Sequence, residues 1–186
     1  VAPGGAPVVL TAGLLGGVAP DLDAFAQHRR TLHFPVLLPL LTPLAVLPSV
    51  LFPGPVTGFV AVFVAAAALH SLMDVAGGGR GLTPWLDGDR RAVYSHLNGR
   101  WIESRGPIGY DGAPADLLLA VCLGVPLLLV VPEPFRSVTL GLLGLAAGYT
   151  VVRKRLVAIL AAAVRLVPRP LRFLLPARML EARREY

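Results

Sequence analysis

Three short patterns in the sequence contain residue types that bind divalent metal ions. The patterns are Pro20-Asp21-Leu22-Asp23, His28-Arg29-Arg30-Thr31-Leu32-His33 and His70-Ser71-Leu72-Met73-Asp74. Carboxylate oxygens suit hard cations, imidazole suits zinc, iron, manganese or nickel, and arginine suits phosphate. If the three patterns meet in the folded chain, they could hold one divalent cation or a neighbouring pair.

Each pattern also has a simpler structural explanation. Asp-x-Asp is common at a helix N-terminus, where a carboxylate caps free backbone N–H groups. The pattern from His28 to His33 also fits an interfacial cluster of basic and amphipathic side chains. His70 and Asp74 share one helix face, so both could coordinate a metal, or the carboxylate could simply orient the imidazole. This third pattern is the most informative, because it ends a long apolar segment in which ionisable residues are costly.

Long uncharged segments surround these patterns. Hydrophobic residues make up 55% of the chain and charged residues 15%, whereas an ordinary soluble domain is roughly 45–50% apolar. Between Arg30 and Asp74 no Asp, Glu, Lys or Arg occurs, and this stretch is about twice the ~20 residues that cross a bilayer. We therefore predict an all-α, polytopic membrane protein with four to five transmembrane helices, rather than a soluble protein with buried helices.

The apolar segments predict helices at about 7–19, 34–52, 56–74, 114–132 and 137–153. Polar loops at 20–33 and 75–113 then lie on one membrane face. This arrangement divides the chain into a transmembrane domain over 1–155 and a basic tail over 156–186, either amphipathic along the headgroups or disordered. Basic residues concentrate on the face of the two loops, against Arg136 alone opposite, so the positive-inside rule predicts a multi-pass protein of the cell (inner) membrane with cytoplasmic site loops.

The net charge of +6 follows largely from this topology. The expected partners are the lipid bilayer and anionic headgroups, and the absence of interleaved basic and aromatic residues argues against nucleic acid. The single Cys122 excludes a disulfide within the chain and fits a packing role. Because the chain begins at Val1 without Met or a basic n-region, we expect a trimmed product or a fragment rather than a signal-peptide precursor.

The loop 75–113 is dense in polar and aromatic residues, and long irregular loops are often functional. His96 and Asp111 are possible additional metal ligands, and the arginines of the loop could hold an anionic substrate. A solvated loop with amphipathic anchors explains the same residues equally well.

Taken together, the patterns G-x-x-P-D-x-D at 17–23, H-R-x-x-x-H at 28–33 and H-x-x-x-D at 70–74 resemble a known family. They are similar to the membrane-bound metal-dependent hydrolases related to the LexA-regulated inner-membrane hydrolases of prokaryotes, over roughly residues 10–120. Leu32 and Phe34 depart from the Thr and Ser common in that family, and no histidine precedes Asp21. The resemblance implies a hydrolase with metal ligands at Asp21, Asp23, His28, His33, His70 and Asp74.

The resulting hypothesis is a hydrolase with one or two divalent metals, zinc or manganese, that activate water. Asp74 or Asp23 could serve as the general base, and Arg29 would stabilise charge on a phosphoester. A lipid-like phosphoester is the expected substrate, because the site would sit at headgroup depth. The alternatives are a non-enzymatic metal-binding or transport protein and a structural membrane protein with a degenerate site. Ligands at helix ends favour chemistry at the membrane surface over transport.

Overall fold

The computed structural model describes residues 5–79, 81–85 and 90–175. The chain is mostly helical, as predicted, and the described residues also contain one antiparallel pair of strands that we did not predict. The elements are α1 (Gly5–Val18), a 3₁₀ helix (Ala19–Phe25), α2 (Leu37–Leu51), α3 (Pro55–Ala76), β1 (Arg91–Ser95), β2 (Arg100–Glu103), α4 (Pro114–Leu128), α5 (Phe135–Leu166) and a second 3₁₀ helix (Arg169–Leu174).

The chain divides into two compact units. The first unit comprises Val1–Arg80 and Arg90–Pro107, and the second comprises Gly81–Asp89 and Ile108–Tyr186. The three metal-binding patterns all lie in the first unit, together with His96. Asp111 lies in the second.

In the first unit α3 packs against both α1 and α2. α1 and α3 run in the same direction, because Val9 lies against Gly58 and Gly13 lies against Val62. The two helices approach so closely that a Cβ atom at Gly16 would overlap the backbone of Phe63. Small residues allow such close helix packing. As a result, the C-terminal ends of α1 and α3 meet at one end of this unit.

Strands β1 and β2 form a hairpin within the first unit. Tyr94 pairs with Trp101 in the register, and the turn contains Asn98 followed by Gly99 at φ 62°, a left-handed conformation that glycine adopts readily. The backbone N–H of Tyr94 donates to the carbonyl of Arg29 at 2.9 Å. The hairpin therefore supports the loop that carries the second metal-binding pattern.

Three described helical segments are long and apolar enough to cross a membrane, namely Gly5–Ala24, Pro55–Ala76 and Phe135–Leu166. α2 and α4 are shorter apolar helices, and neither contains a buried residue. Their large apolar side chains point outward, as Leu44 does with 66% of its surface exposed. Exposed apolar patches of this kind mark contact with a membrane or with other proteins.

In the second unit α4 packs against α5. α5 continues to Leu166, beyond the predicted end at 153. Residues 154–166 contain no glycine or proline and are rich in Ala, Leu and Arg, which favour helix. The helix ends just before Pro168, as the conformational limits on residues preceding proline would suggest. Residues 176–186 of the predicted tail lie outside the described residues.

Candidate metal centre

Four side chains of the first unit converge at the C-terminal end of α3. Asp21 comes from the first 3₁₀ helix, His33 from the loop before α2, and His70 and Asp74 from α3 itself. Each offers one ligand atom, and these four atoms lie within 4.8 Å of one another. The group Asp21, His33, His70 and Asp74 could therefore hold a metal ion, and we call it the metal-binding group.

The spacing of the donor atoms fits a single ion. Asp74 Oδ2 lies 2.9 Å from His33 Nε2 and 3.7 Å from His70 Nε2. Asp21 Oδ1 lies 3.4 Å from His70 Nε2 and 3.8 Å from His33 Nε2. Tetrahedral ligands at zinc bond lengths are about 3.3 Å apart, so the four distances bracket the value that one bound ion requires.

Three of the four donor atoms are buried and form no hydrogen bond of normal geometry, although two of them, Nε2 of His33 and Oδ2 of Asp74, lie only 2.9 Å apart. The three atoms are Nε2 of His33, Nε2 of His70 and Oδ2 of Asp74. Leaving a buried polar atom unpaired costs about 1–3 kcal/mol, and here three such atoms face one another. A cation bound by all three atoms explains this arrangement. Without a metal ion, one of the imidazoles would have to be protonated and paired with Asp74.

The hydrogen bonds at the other ring nitrogens assign the tautomers of both imidazoles. His70 Nδ1 lies 2.6 Å from the carbonyl oxygen of Gly17, and because a carbonyl only accepts, Nδ1 must carry the proton. His33 Nδ1 lies 3.0 Å from Oδ2 of Asp23 and donates in the same way. In the neutral rings both Nε2 atoms then present lone pairs to the metal-binding group, as metal-ligating histidines do.

Asp23 holds the loop around the metal-binding group. Its side chain is fully buried, and its two oxygens accept hydrogen bonds at 3.0–3.2 Å from three backbone N–H groups and two imidazoles. The donors are Arg29 N, Arg30 N, Leu32 N, His28 Nδ1 and His33 Nδ1. Asp23, which we predicted as a ligand and as a candidate base, thus orients His33 and lies outside the group of four donors.

Arg29 holds the carboxylate of Asp74 in place. Its side chain is buried, with NH2 3.4 Å from Asp74 Oδ1 and NH1 donating to the carbonyl of Gly78 at 3.0 Å. These contacts hold Asp74 with Oδ2 toward the imidazoles. Arg29 has φ 60°, a conformation that costs a non-glycine residue roughly 1–2 kcal/mol. Arg29, which we predicted to stabilise charge on a phosphoester, is thus buried and paired with Asp74.

The remaining predicted ligands lie at different places. His28 lies beside the metal-binding group, where its Nδ1 is 3.0 Å from Asp23 Oδ1 and 3.9 Å from Asp21 Oδ1. The ring of His96 packs on Phe34 with centroids 4.6 Å apart. Asp111, in the second unit, accepts a hydrogen bond from the hydroxyl of Tyr149 at 2.8 Å.

Two backbone groups that support the site were not predicted from the sequence. One is the carbonyl of Gly17, which sets the tautomer of His70; a backbone acceptor carries no residue-type signal. The other is Tyr94 on the hairpin, whose N–H binds the carbonyl of Arg29. The strand-forming residues around Asn98-Gly99 could have indicated that hairpin.

Comparison with protein-family models, with curated proteins and with solved structures finds no match to this chain.

Proposed function

We propose that this protein is a membrane-embedded, metal-dependent hydrolase that cleaves a phosphoester at the end of α1 and α3. The proposal agrees with the family that the sequence resembles. The observation that carries it is the convergence of three buried donor atoms without a regular hydrogen bond, from His33, His70 and Asp74, with the more exposed carboxylate of Asp21. The outward-facing apolar helices support a bilayer as the surroundings of the protein.

The four donor side chains differ in exposure, and this difference suggests different roles. The side chain of His33 is fully buried, and those of His70 and Asp74 are 20% and 19% exposed. Asp21 is 52% exposed and stands on the side from which water and substrate can arrive. Catalytic zinc sites combine three protein ligands with an open position. We therefore assign His33, His70 and Asp74 as ligands of zinc or manganese and Asp21 as the general base.

The charges around the site favour a bound cation. Three carboxylates, of Asp21, Asp23 and Asp74, lie at the site with one paired guanidinium group, that of Arg29. With neutral imidazoles this leaves two net negative charges, which a divalent ion would neutralise. The ion itself would then attract a phosphoryl oxygen of the substrate as a Lewis acid.

The reaction would be a simple hydrolysis. A bound divalent ion supplies a Lewis acid and lowers the pKa of water to about 7. Asp21 accepts the proton from the attacking water, whose oxygen bonds to phosphorus as the ester P–O bond breaks. The leaving alcohol takes up a proton, so that the products are an alcohol and a phosphate.

Asp21→Asn tests the assignment in detergent-purified protein. We expect this variant to retain about one equivalent of zinc and to lose hydrolysis of a 4-nitrophenyl phosphate ester by about 100-fold or more. His70→Ala should lose both the metal and the activity, while His96→Ala serves as the matched histidine control and should keep both. A metal-loaded wild-type protein that hydrolyses no phosphoester would favour the alternative of a non-enzymatic metal-binding protein.

A further inference from the structure

A cavity of about 370 Å³ opens directly beside the metal-binding group, between α1 and α3. Among the described residues that line it, His70 and Asp74 are the titratable ones. The rest of the lining consists of glycine and apolar residues, which are Gly13, Gly17, Ala66, Leu69 and Met73. The cavity therefore joins a group of metal-binding side chains to an apolar surface.

The two ends of the cavity differ in chemistry. Asp74 and His70 lie near the C-terminal end of α3, and Ala66 lies one helical turn before His70 on the same face. From Ala66 to Asp74 the helix advances about 12 Å. Gly13 and Gly17 lie one turn apart on α1 and bring no side chain into the space. The result is an apolar groove that leads away from the metal-binding group.

The volume limits what the groove can hold. Small-molecule sites commonly measure about 300–1,000 Å³, so this cavity is near the lower end of that range. This volume suits one alkyl chain next to the reacting centre, lying along the exposed side of the groove at Leu69. A purely polar substrate would leave the apolar lining unused.

We propose that this groove binds one unbranched hydrocarbon chain of the substrate, next to the phosphoester that is cleaved. The inference rests on the proposed function, because the phosphoester must lie at His70 and Asp74 for the chain to enter the groove. It narrows the substrate class to phosphate esters that carry a single slender alkyl chain.

A chain-length series tests the groove. The substrates are ethyl, butyl and hexyl 4-nitrophenyl phosphate, used below their micelle-forming concentrations with zinc-loaded wild-type protein. Each buried methylene should lower KM about fourfold, so that two methylenes give about 15-fold. Because all three substrates share the same reacting group, kcat should change little along the series.

Two neighbouring alanines of α3 provide the variant and its control. Ala66→Leu places a larger side chain in the groove and should flatten the dependence of KM on chain length, while the zinc content of the purified protein persists. Ala65→Leu adds the same atoms at a half-buried position outside the lining and should keep the wild-type dependence. Leu69 is a lining residue that is 58% exposed. Leu69→Ser should weaken the dependence of KM on chain length, because it removes apolar surface from the groove without filling it.

The outcomes separate the groove from the proposed hydrolysis. Wild-type turnover with no dependence on chain length, or an unchanged dependence in Ala66→Leu, would overturn the groove and leave the hydrolase standing. If no ester is cleaved, the binding constants of ethyl, butyl and hexyl phosphate to the zinc-loaded protein give the same test. A chain-length dependence in binding without turnover would then support the groove and overturn the hydrolysis.

Discussion

Replacing Gly16 by alanine should separate α1 from α3. The added Cβ would lie 2.9 Å from the Cα and 3.0 Å from the carbonyl carbon of Phe63 and would overlap its carbonyl oxygen. Because all three are backbone atoms, no side-chain rotation relieves the overlap and the helices must shift. Overpacking of this kind costs about 1–3 kcal/mol, and the higher helix propensity of alanine offsets roughly 0.5–1 kcal/mol of that loss. We expect a net loss of about 1–2 kcal/mol in the free energy of unfolding.

The matched control for this change is Gly13→Ala. A Cβ at Gly13 would meet Val62 Cγ1 at 3.6 Å, an ordinary van der Waals contact, so this variant should gain up to about 1 kcal/mol from helix propensity. The assay is equilibrium unfolding in mixed micelles, followed by helical circular dichroism. Zinc affinity should fall as well in Gly16→Ala, since Gly17 next to it holds His70. Equal unfolding free energies for the two variants would refute the close-packing argument.

Three further predictions concern the surroundings of the metal-binding group. Asp23→Asn should weaken zinc binding about 10–100-fold while every ligand remains, because the residue orients His33; zinc titration against a chelating dye measures this, and an unchanged affinity would contradict the orienting role. Arg29→Ala should free Asp74 and also weaken zinc binding, whereas Arg30→Ala, at an exposed neighbour, should not; equal effects would argue against the Arg29–Asp74 contact. Gly99→Ala should destabilise the chain by about 1 kcal/mol because its φ of 62° is left-handed; thermal unfolding measures the loss, and an unchanged midpoint would contradict it.

The parts of the site that the sequence predicted are those set by local geometry. His70 and Asp74 lie four residues apart on one helix, and this spacing alone brings their side chains together. Their position at the end of an apolar segment indicated that they were more than surface residues. His70 and Asp74 meet Asp21 and His33 because the three patterns, each beside an apolar helix, lie at the same end of the fold.

The distinction between ligand and support could not be read from the sequence. Asp21 and Asp23 are the same residue type in one short pattern, yet only Asp21 joins the metal-binding group. The difference depends on the loop that wraps around Asp23, and that loop depends on the left-handed conformation of Arg29. No residue-type preference predicts an arginine at positive φ, because the surrounding contacts impose it.

Helix ends were predicted less well than helix positions. The apolar run of α5 stops near Val152, and we placed the end of the helix there. The helix continues because Arg153 is buried in the second unit, with its Nε 3.4 Å from Asp111 Oδ2 and its guanidinium 5.2 Å from the ring of Trp85. Basic residues ended the hydrophobic pattern without ending the helix, since arginine has a high helix propensity.

X-ray absorption spectroscopy of the zinc-loaded protein tests the central claim most directly. We predict one zinc per chain with two imidazole ligands and oxygen donors at about 2.0–2.1 Å. Any zinc that His33→Ala or His70→Ala retains should have a single imidazole ligand. A zinc environment without imidazole, or one with two imidazoles in both variants, would contradict this prediction.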